Sequence, residues 1–279
     1  MFQPVIKWSG SKRSQANEIL KYFPKEINTY YEPFCGGCSV LRTLIESDIR
    51  VNRYVCSDLN EHLIELWKAI KASPEVISED YRDYWNKLNE INDQATKRAY
   101  FEGVRDDFNY RLNNETRASQ FMFLNRTCFN GLVRYNSDGY FNTSFHLNRN
   151  GIKPDVLKKI IFEWSDLLNK NNVEFRCCSY ENVIPKNEDD FVYLDPPYAK
   201  SVGMYNGAID TDKLFDYLRK LPCGYAMSFD GVSGEIDNTY NVPKDVYNEH
   251  HYIKSGNSSF KRIKMSSNDS IVYESLYIK

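Results

Sequence analysis

No stretch of this sequence approaches the roughly 18 uninterrupted apolar residues of a membrane-spanning helix. Its start, Met1-Phe2-Gln3-Pro4-Val5-Ile6-Lys7, lacks the basic segment leading into a long apolar one that marks a secretory leader. A cytoplasmic protein without a membrane partner is the expectation. No repeats or low-complexity stretches appear, which sets aside solenoids and disordered arrays. Charge of one sign is not in excess either, since 36 Lys and Arg face 38 Asp and Glu. Composition alone therefore names no nucleic-acid partner. Seven cysteines, an odd number scattered through the chain, speak against a disulfide framework and for reduced thiols. Cys177-Cys178 is a vicinal pair rather than a second CxxC, and no pair of histidines completes a ligand set, so no metal is expected.

What remains is 279 residues, 42% hydrophobic, enough for one core plus a smaller inserted lobe. Locally the charge is uneven. Between Arg117 and Lys153 five basic residues face one acid, Asp138, and from Lys254 to Lys264 four face none. Such patches suit a DNA-binding cleft, and ordinary solvated surface accounts for either one alone.

The pattern opens with strand, glycine turn and helix: Tyr30-Tyr31-Glu32-Pro33-Phe34, then Cys35-Gly36-Gly37-Cys38, then a helical run from Ser39. A second βα unit follows, with apolar Val51 to Cys56 ending at Ser57-Asp58-Leu59-Asn60 and Leu63, Ile64, Trp67 and Ile70 at helical spacing. Two such units in succession predict an α/β sheet. From about Ser73 to Gly151 the chain is polar, Asn-rich and aromatic-studded, with helical periods and turns at Asn130-Gly131 and Ser137-Asp138-Gly139, which reads as an insertion of helices carrying a hairpin or loop. The α/β pattern then resumes with a helix from about Asp155 to Leu168 and strands at Val173–Cys177, Asp190–Leu194, Gly224–Phe229, His251–Ile253 and Ile271–Ile278.

Asp195-Pro196-Pro197-Tyr198 ends a buried strand, the edge where open α/β sheets bind ligands. The exocyclic amino group of a purine is a poor nucleophile because its lone pair is delocalised into the ring. A carboxylate and a fixed carbonyl, each accepting one amino hydrogen, localise that pair and aim it. Asp195 supplies the carboxylate; two prolines stiffen the loop and leave the Pro196 carbonyl free; Tyr198 offers a face to a base lifted from the duplex. A structural Asp before a Pro-Pro turn is the plainer alternative. Phe34-Cys35-Gly36-Gly37 suits a nucleotide-binding turn, and Asp58 suits an acceptor for ribose hydroxyls or, equally, a helix cap. Cys35-Gly36-Gly37-Cys38 also fits a redox-active CxxC, a rival that leaves the insertion and Asp195 without roles.

Taken in order, Lys7-Trp8-Ser9-Gly10-Ser11-Lys12, Glu32-Pro33-Phe34-Cys35-Gly36-Gly37, Ser57-Asp58-Leu59-Asn60 and Asp195-Pro196-Pro197-Tyr198 resemble the motifs of the Dam family of adenine-N6 DNA methyltransferases. Leu124-Asn125-Arg126, Asn130-Gly131-Leu132-Val133-Arg134-Tyr135-Asn136 and Gly139-Tyr140-Phe141-Asn142 resemble that family's recognition hairpin. The resemblance implies a Rossmann-like S-adenosylmethionine-dependent methyltransferase sheet, residues 1–61 and 153–279, with an inserted, mainly helical recognition lobe at 62–152 that carries a β-hairpin. It implies S-adenosylmethionine held by Trp8, Lys12, Phe34, Gly36, Asp58, Ser179, Tyr180 and Asp195, and transfer to N6 of a flipped-out adenine by Asp195, Pro196, Pro197 and Tyr198. Double-stranded DNA is the implied partner. Lys7 and Arg134 match readers of guanine in the family's GATC site, Asn130 and Leu132 match the segment inserted at its centre, and Asn136 lies in the same stretch. Where the family continues Asn-x-Pro-Phe-Gly this chain has Asn142-Thr143-Ser144-Phe145-His146, and a family aromatic position is Asn148 here. Both departures fall on the DNA-reading side. Cytosine-N4 transfer, for which Ser-Pro-Pro-Tyr is the usual pattern, and a non-catalytic DNA-binding protein on the same scaffold are the alternatives. The sequence does not reveal the oligomeric state, and a monomer is the default in the absence of substrate.

Overall fold

The computed structural model describes residues 2–111, 115–197, 209–255 and 272–279. Along the chain the elements are α1 (Ala16–Ile19), β1 (Glu26–Glu32), α2 (Ser39–Ile45), β2 (Arg50–Asp58), α3 (Glu61–Ala72), α4 (Pro74–Glu90), α5 (Gln94–Tyr110), α6 (Arg117–Thr127), α7 (Pro154–Lys170), β3 (Glu174–Cys177), β4 (Phe191–Leu194), α8 (Thr211–Lys220), β5 (Gly224–Ser233), β6 (Ile236–Asp237), β7 (Glu249–Ser255) and β8 (Val272–Ile278). They fall into two compact units. One comprises residues 1–11 and 60–177, the other 12–59 and 178–279.

The second unit is built on a sheet in which β2, β1, β4, β5, β8 and β7 lie side by side in that order, with β6 beside β5. β1, β2, β4 and β5 run parallel, and β8 runs antiparallel to both β5 and β7. The central position of β4 explains its composition: Phe191, Val192, Tyr193 and Leu194 are all buried, as a strand covered on both faces requires. Parallel pairing also brings the carboxyl ends of β1, β2 and β4 to one edge, so Glu32, Asp58 and Asp195 end neighbouring strands on the same side. This is the α/β sheet that the two early βα units predict, in the Rossmann-like form that the family resemblance implies. α8 packs Leu214, Phe215 and Leu218 into a core with Val192, Leu194, Tyr225 and Met227. Its start is capped by Asp210, whose carboxylate accepts from the Lys213 amide at 3.1 Å, and Arg219 and Lys220 lie in its negative last turn.

The first unit is helical, with the short strand β3 packed on α3, where Phe175 stacks on Trp67 at 5.8 Å. α3, α4, α5 and α7 surround α6 or one another. α6 is the unit's centre: every residue from Ser119 to Thr127 is buried, so it has no polar face. The segment that carries the expected hairpin folds back antiparallel but, among the described residues, meets only through isolated bridges, Cys128 with Phe145 and Tyr135 with Phe141. It is a hairpin-like loop rather than a two-stranded ladder. The reason is local: Asn130 and Gly131 both adopt positive φ, and the Asn136 side chain takes up the turn amides of Asp138 and Tyr140. The packing unit also takes in 1–11 and 153–177, more than the inserted segment 62–152 taken from the sequence, because α7 packs along α3 and α4.

Candidate functional site

In the second unit the edge formed by β1, β2 and β4 gathers most of the residues expected around a cofactor. The turn after β1 tightens through Gly36 and Cys38, both at positive φ. It is tied to the end of β2 by the Gly36 amide, which donates to Asp58 Oδ2 at 3.1 Å, and by the Cys35 amide, which donates to the Ser57 carbonyl at 2.9 Å. Phe34 lies face to face with Tyr180, ring centres 5.4 Å apart and planes 29° from parallel, while Tyr217 meets Tyr180 edge-on. Together they make one aromatic wall beside a carboxylate. Ser179 starts the short 3-10 turn Tyr180–Asn182, its hydroxyl accepting from the Glu181 amide at 3.4 Å.

Asp195 follows β4 directly and is partly buried. Its Oδ1 lies 2.7 Å from the Lys12 ammonium, which also lies 3.3 Å from Glu274 Oε2 on β8. Lys12 is fully enclosed; burial opposes its charge, and the two carboxylates outweigh burial and raise its pKa. Close by, Glu32 is buried and accepts from the Tyr30 hydroxyl at 2.7 Å. Burial, reinforced by the Asp195 charge and opposed by hydrogen bonds from Tyr30 and the Leu41 amide, pushes its carboxyl up to about 8. Glu32 therefore holds its proton at neutral pH, and the Lys12 ammonium faces the two carboxylates of Asp195 and Glu274. Pro196 is buried and Pro197 half-buried; Tyr198 lies outside the described residues, as does the basic run beyond Lys254.

The thiols behave as core groups. Cys35 and Cys38 are buried, and burial raises the first to about 11 and the second well above its ordinary value. Neither is a thiolate poised for exchange, which removes the physical basis of the redox CxxC alternative. No group of three or more His, Cys, Asp or Glu able to hold a metal occurs among the described residues, and no described helix is long and apolar enough to cross a membrane.

The residues expected to read DNA lie in the first unit, and Trp8, expected with the cofactor, belongs there too. The Gly131 carbonyl and the Lys7 main chain share one partner, the Asn125 side chain. Asn130, Arg134, Asn136, Ser144 and Asn148 are exposed and Leu132 half-buried. The Ser144 carbonyl accepts from the Phe129 amide, and the Asn148 amide donates to His146 Nδ1. Phe129 and His146 stack at 5.7 Å, and with Arg98, Ser144 and Asn148 they line an open cavity of about 410 Å³. Burial, then Arg149 and Arg126, lower the Lys7 pKa to about 8, with Cys128 acting the other way.

The model of the D12 class N6 adenine-specific DNA methyltransferases matches residues 8–267. The chain belongs to this family. It is 33% identical over 209 residues to the type II methyltransferase M.MjaIII of Methanocaldococcus jannaschii, a match covering 70% of this chain and 69% of that protein. It is 31% identical over 199 residues to the DNA adenine methylase of Haemophilus influenzae, covering 71% and 64%, and 29% identical over 201 residues to the type II methyltransferase M1.LlaDCHI of Lactococcus lactis subsp. cremoris, covering 70% and 66%. The matches thus span about two thirds of these relatives' lengths.

Membership in the D12 class implies S-adenosylmethionine, and the sheet edge fits it. Phe34 and Tyr180 offer an aromatic wall for a purine, Asp58 a carboxylate for ribose hydroxyls, and the Gly36 turn a close backbone approach. The Ser57 hydroxyl beside them is buried and lacks a hydrogen-bond partner among the described residues, an orphan of the kind a ligand satisfies. Sequence reasoning missed Glu32 and Glu274 as members of this site. Glu32 was visible as an acid at a strand end one residue before Pro33. Glu274 had no such signal, since its role depends on Lys12 at the other end of the chain.

Proposed function

We propose that this D12-class protein transfers a methyl group to N6 of an adenine taken out of duplex DNA, with Asp195 as the residue that touches the amine. The observation that carries the reading is the Lys12–Asp195 ion pair at the carboxyl end of β4. It fixes an acceptor at the sheet edge where Phe34, Asp58 and Tyr180 form a nucleoside-binding wall. Trp8, Lys12, Phe34, Gly36, Asp58, Ser179 and Tyr180 are assigned to S-adenosylmethionine, Lys12 acting through Asp195. When bound, S-adenosylmethionine would supply an electrophilic methyl carbon on a sulfonium, whose methyl–sulfur bond breaks as the new C–N bond forms and leaves S-adenosylhomocysteine, with no metal activation needed.

The chain's own residues do the rest. Asp195 and the Pro196 carbonyl each accept one N6 hydrogen, which turns the lone pair out of the ring plane and aims it. Pro197 stiffens the turn, and Tyr198 stacks on the base. Lys12 orients the Asp195 carboxylate. The surplus N6 proton departs on the Asp195 side after the C–N bond forms, so no strong general base is required. Residues 62–152 serve as the recognition lobe, with Lys7 and Arg134 reading guanines, Asn130 and Leu132 entering the site, and Asn136, Ser144 and Asn148 shaping the loop. We place the activity in the cytoplasm, with the DNA.

The test is transfer of label from S-adenosylmethionine to mixed-sequence duplex DNA, followed by digestion to nucleosides. Labelled N6-methyladenine is the expected product, and Asp195→Ala abolishes it. N4-methylcytosine, no transfer, or full turnover by the variant refutes the reading. Sequencing the methylated DNA then gives the site, with a preference other than GATC expected if Ser144 and Asn148 alter recognition.

A further inference from the structure

α6 is buried on all sides, so the polar groups of its last turn must be satisfied inside the protein. Asn125, Arg126 and Thr127 carry them. Thr127 Oγ1 turns back to the Phe123 carbonyl at 2.7 Å, a bond within the helix. The other two reach the far amino-terminal segment. Arg126 Nε donates to the Val5 carbonyl at 2.7 Å, and its terminal nitrogen donates to the Pro4 carbonyl. Asn125 Oδ1 accepts from the Lys7 amide at 2.8 Å, while Nδ2 donates to the Lys7 carbonyl at 2.8 Å and to the Gly131 carbonyl at 3.1 Å. Both amide hydrogens are committed.

The segment thus gripped, residues 2–8, forms no helix or strand of its own. Its position near Lys7 is set by side chains, and Asn125 holds Lys7 on both sides of the residue. The same amide holds the turn Phe129–Gly131, and the fit there is close. Gly131 has φ +68°, and a Cβ on it would fall 2.5 Å from Lys7 Cβ and 2.7 Å from Lys7 Cδ. The lysine stem lies on the bare glycine, next to exposed Asn130.

We infer that Asn125 is a positioning residue for sequence reading: it locks Lys7 and the Asn130-Gly131-Leu132 turn into one rigid reading element. The inference rests on the proposed contact of Lys7 with DNA, which Asn125 itself does not make. A lysine that discriminates one base pair must be held to within a fraction of an ångström, and a segment without regular structure supplies no such hold.

The experiment compares Lys7→Ala, Asn125→Asp, Gly131→Ala and the double variant Lys7→Ala/Asn125→Asp in the full chain. The substrates are duplexes carrying the wild-type enzyme's preferred site and each single-base variant of it. Asn125→Asp keeps the acceptor for the Lys7 amide and turns the two donors into a carboxylate facing two carbonyls. Gly131→Ala leaves Asn125 intact and pushes on the Lys7 stem. Lys7→Ala is expected to lower discrimination at one base pair by roughly tenfold or more. Asn125→Asp and Gly131→Ala should lower it at that same base pair, raising KM for the preferred duplex and leaving kcat at saturating DNA unchanged. The double variant should be no worse than Lys7→Ala. If Lys7→Ala loses discrimination while Asn125→Asp and Gly131→Ala keep it, the positioning role is refuted and the Lys7 contact stands. If Lys7→Ala keeps discrimination, the Lys7 contact itself is refuted and the inference with it. Loss of kcat or thermal stability with discrimination intact assigns Asn125 a merely structural role, and Gly131→Ala decides the matter if Asn125→Asp does not fold.

Discussion

Glu32→Gln should stabilise this protein increasingly as pH rises. In the folded chain the Glu32 carboxyl is pushed from its ordinary 4.5 up to about 8, first by burial and then by the Asp195 charge. The unfolded chain releases this proton near pH 4.5 and the folded chain only near pH 8. Between those values the folded state binds more protons, so stability falls with rising pH at up to ~1.4 kcal/mol per unit. The loss by pH 9 is on the order of 5 kcal/mol, a large share of the ~5–15 kcal/mol of a typical domain. Glutamine is close in shape to the protonated acid: its oxygen accepts from the Leu41 amide, and its NH2 can donate to the Tyr30 hydroxyl. It has no proton to lose. Lys7 complicates a direct pH scan, because its lowered pKa contributes in the opposite direction above about 8. The informative quantity is therefore the difference between variant and wild type, in which other groups cancel. Urea unfolding of both proteins from pH 5 to 9 should show that difference growing up to about pH 8 and then levelling. Parallel stability curves would refute a protonated Glu32.

Lys12→Met should destabilise the fold by ~3–5 kcal/mol by leaving Asp195 and Glu274 without their counter-charge; adding Glu274→Met should recover part of the stability in urea unfolding and none of the methyl transfer, since Asp195 still lacks its partner. Discrimination between the preferred duplex and single-base variants should weaken as pH rises through about 8. There Lys7, crowded by Arg149, Arg126 and His146 with the Cys128 thiol also close, loses its proton. Competition binding measured from pH 7 to 9 checks this, and Lys7→Arg should flatten the profile because a guanidinium stays charged.

Much of the scaffold could be read before the structure because its signals are local. Strand β4 is a four-residue apolar run, β2 ends on Ser57-Asp58, and α3 announces itself through Leu63, Ile64, Trp67 and Ile70. Asp58, Phe34 and Asp195 stand at strand ends, where position in the sequence already says which edge they occupy. α5 and α8 were not anticipated. Both are polar over most of their length and are fixed by Asp93 and Asp210 caps and by a narrow apolar stripe. Asn130-Gly131 and Ser137-Asp138-Gly139 read as turns of a hairpin or loop, and the residues alone do not choose between the two. In the structure the Asn136 side-chain oxygen Oδ1 accepts from the Asp138 and Tyr140 amides across the turn.

What could not be read are roles created by long-range pairing. Asn125 lies in a helix with no amphipathic period, so nothing in its neighbourhood distinguishes it from a core residue until the main chain of Lys7, 118 positions away, is found against it. Glu274 acquires its role from Lys12, and Glu32 its proton from being enclosed beside Asp195. Each of these roles depends on a residue distant in sequence: Asn125 on Lys7, Glu274 on Lys12, and Glu32 on Asp195. Apart from Trp8, the groups assigned to cofactor and chemistry lie in the unit of residues 12–59 and 178–279, and the groups assigned to reading lie in the unit of residues 1–11 and 60–177. In the proposed reading Ser144 and Asn148 alter which bases are read, while the Lys12–Asp195 pair, in the other unit, serves the amine chemistry.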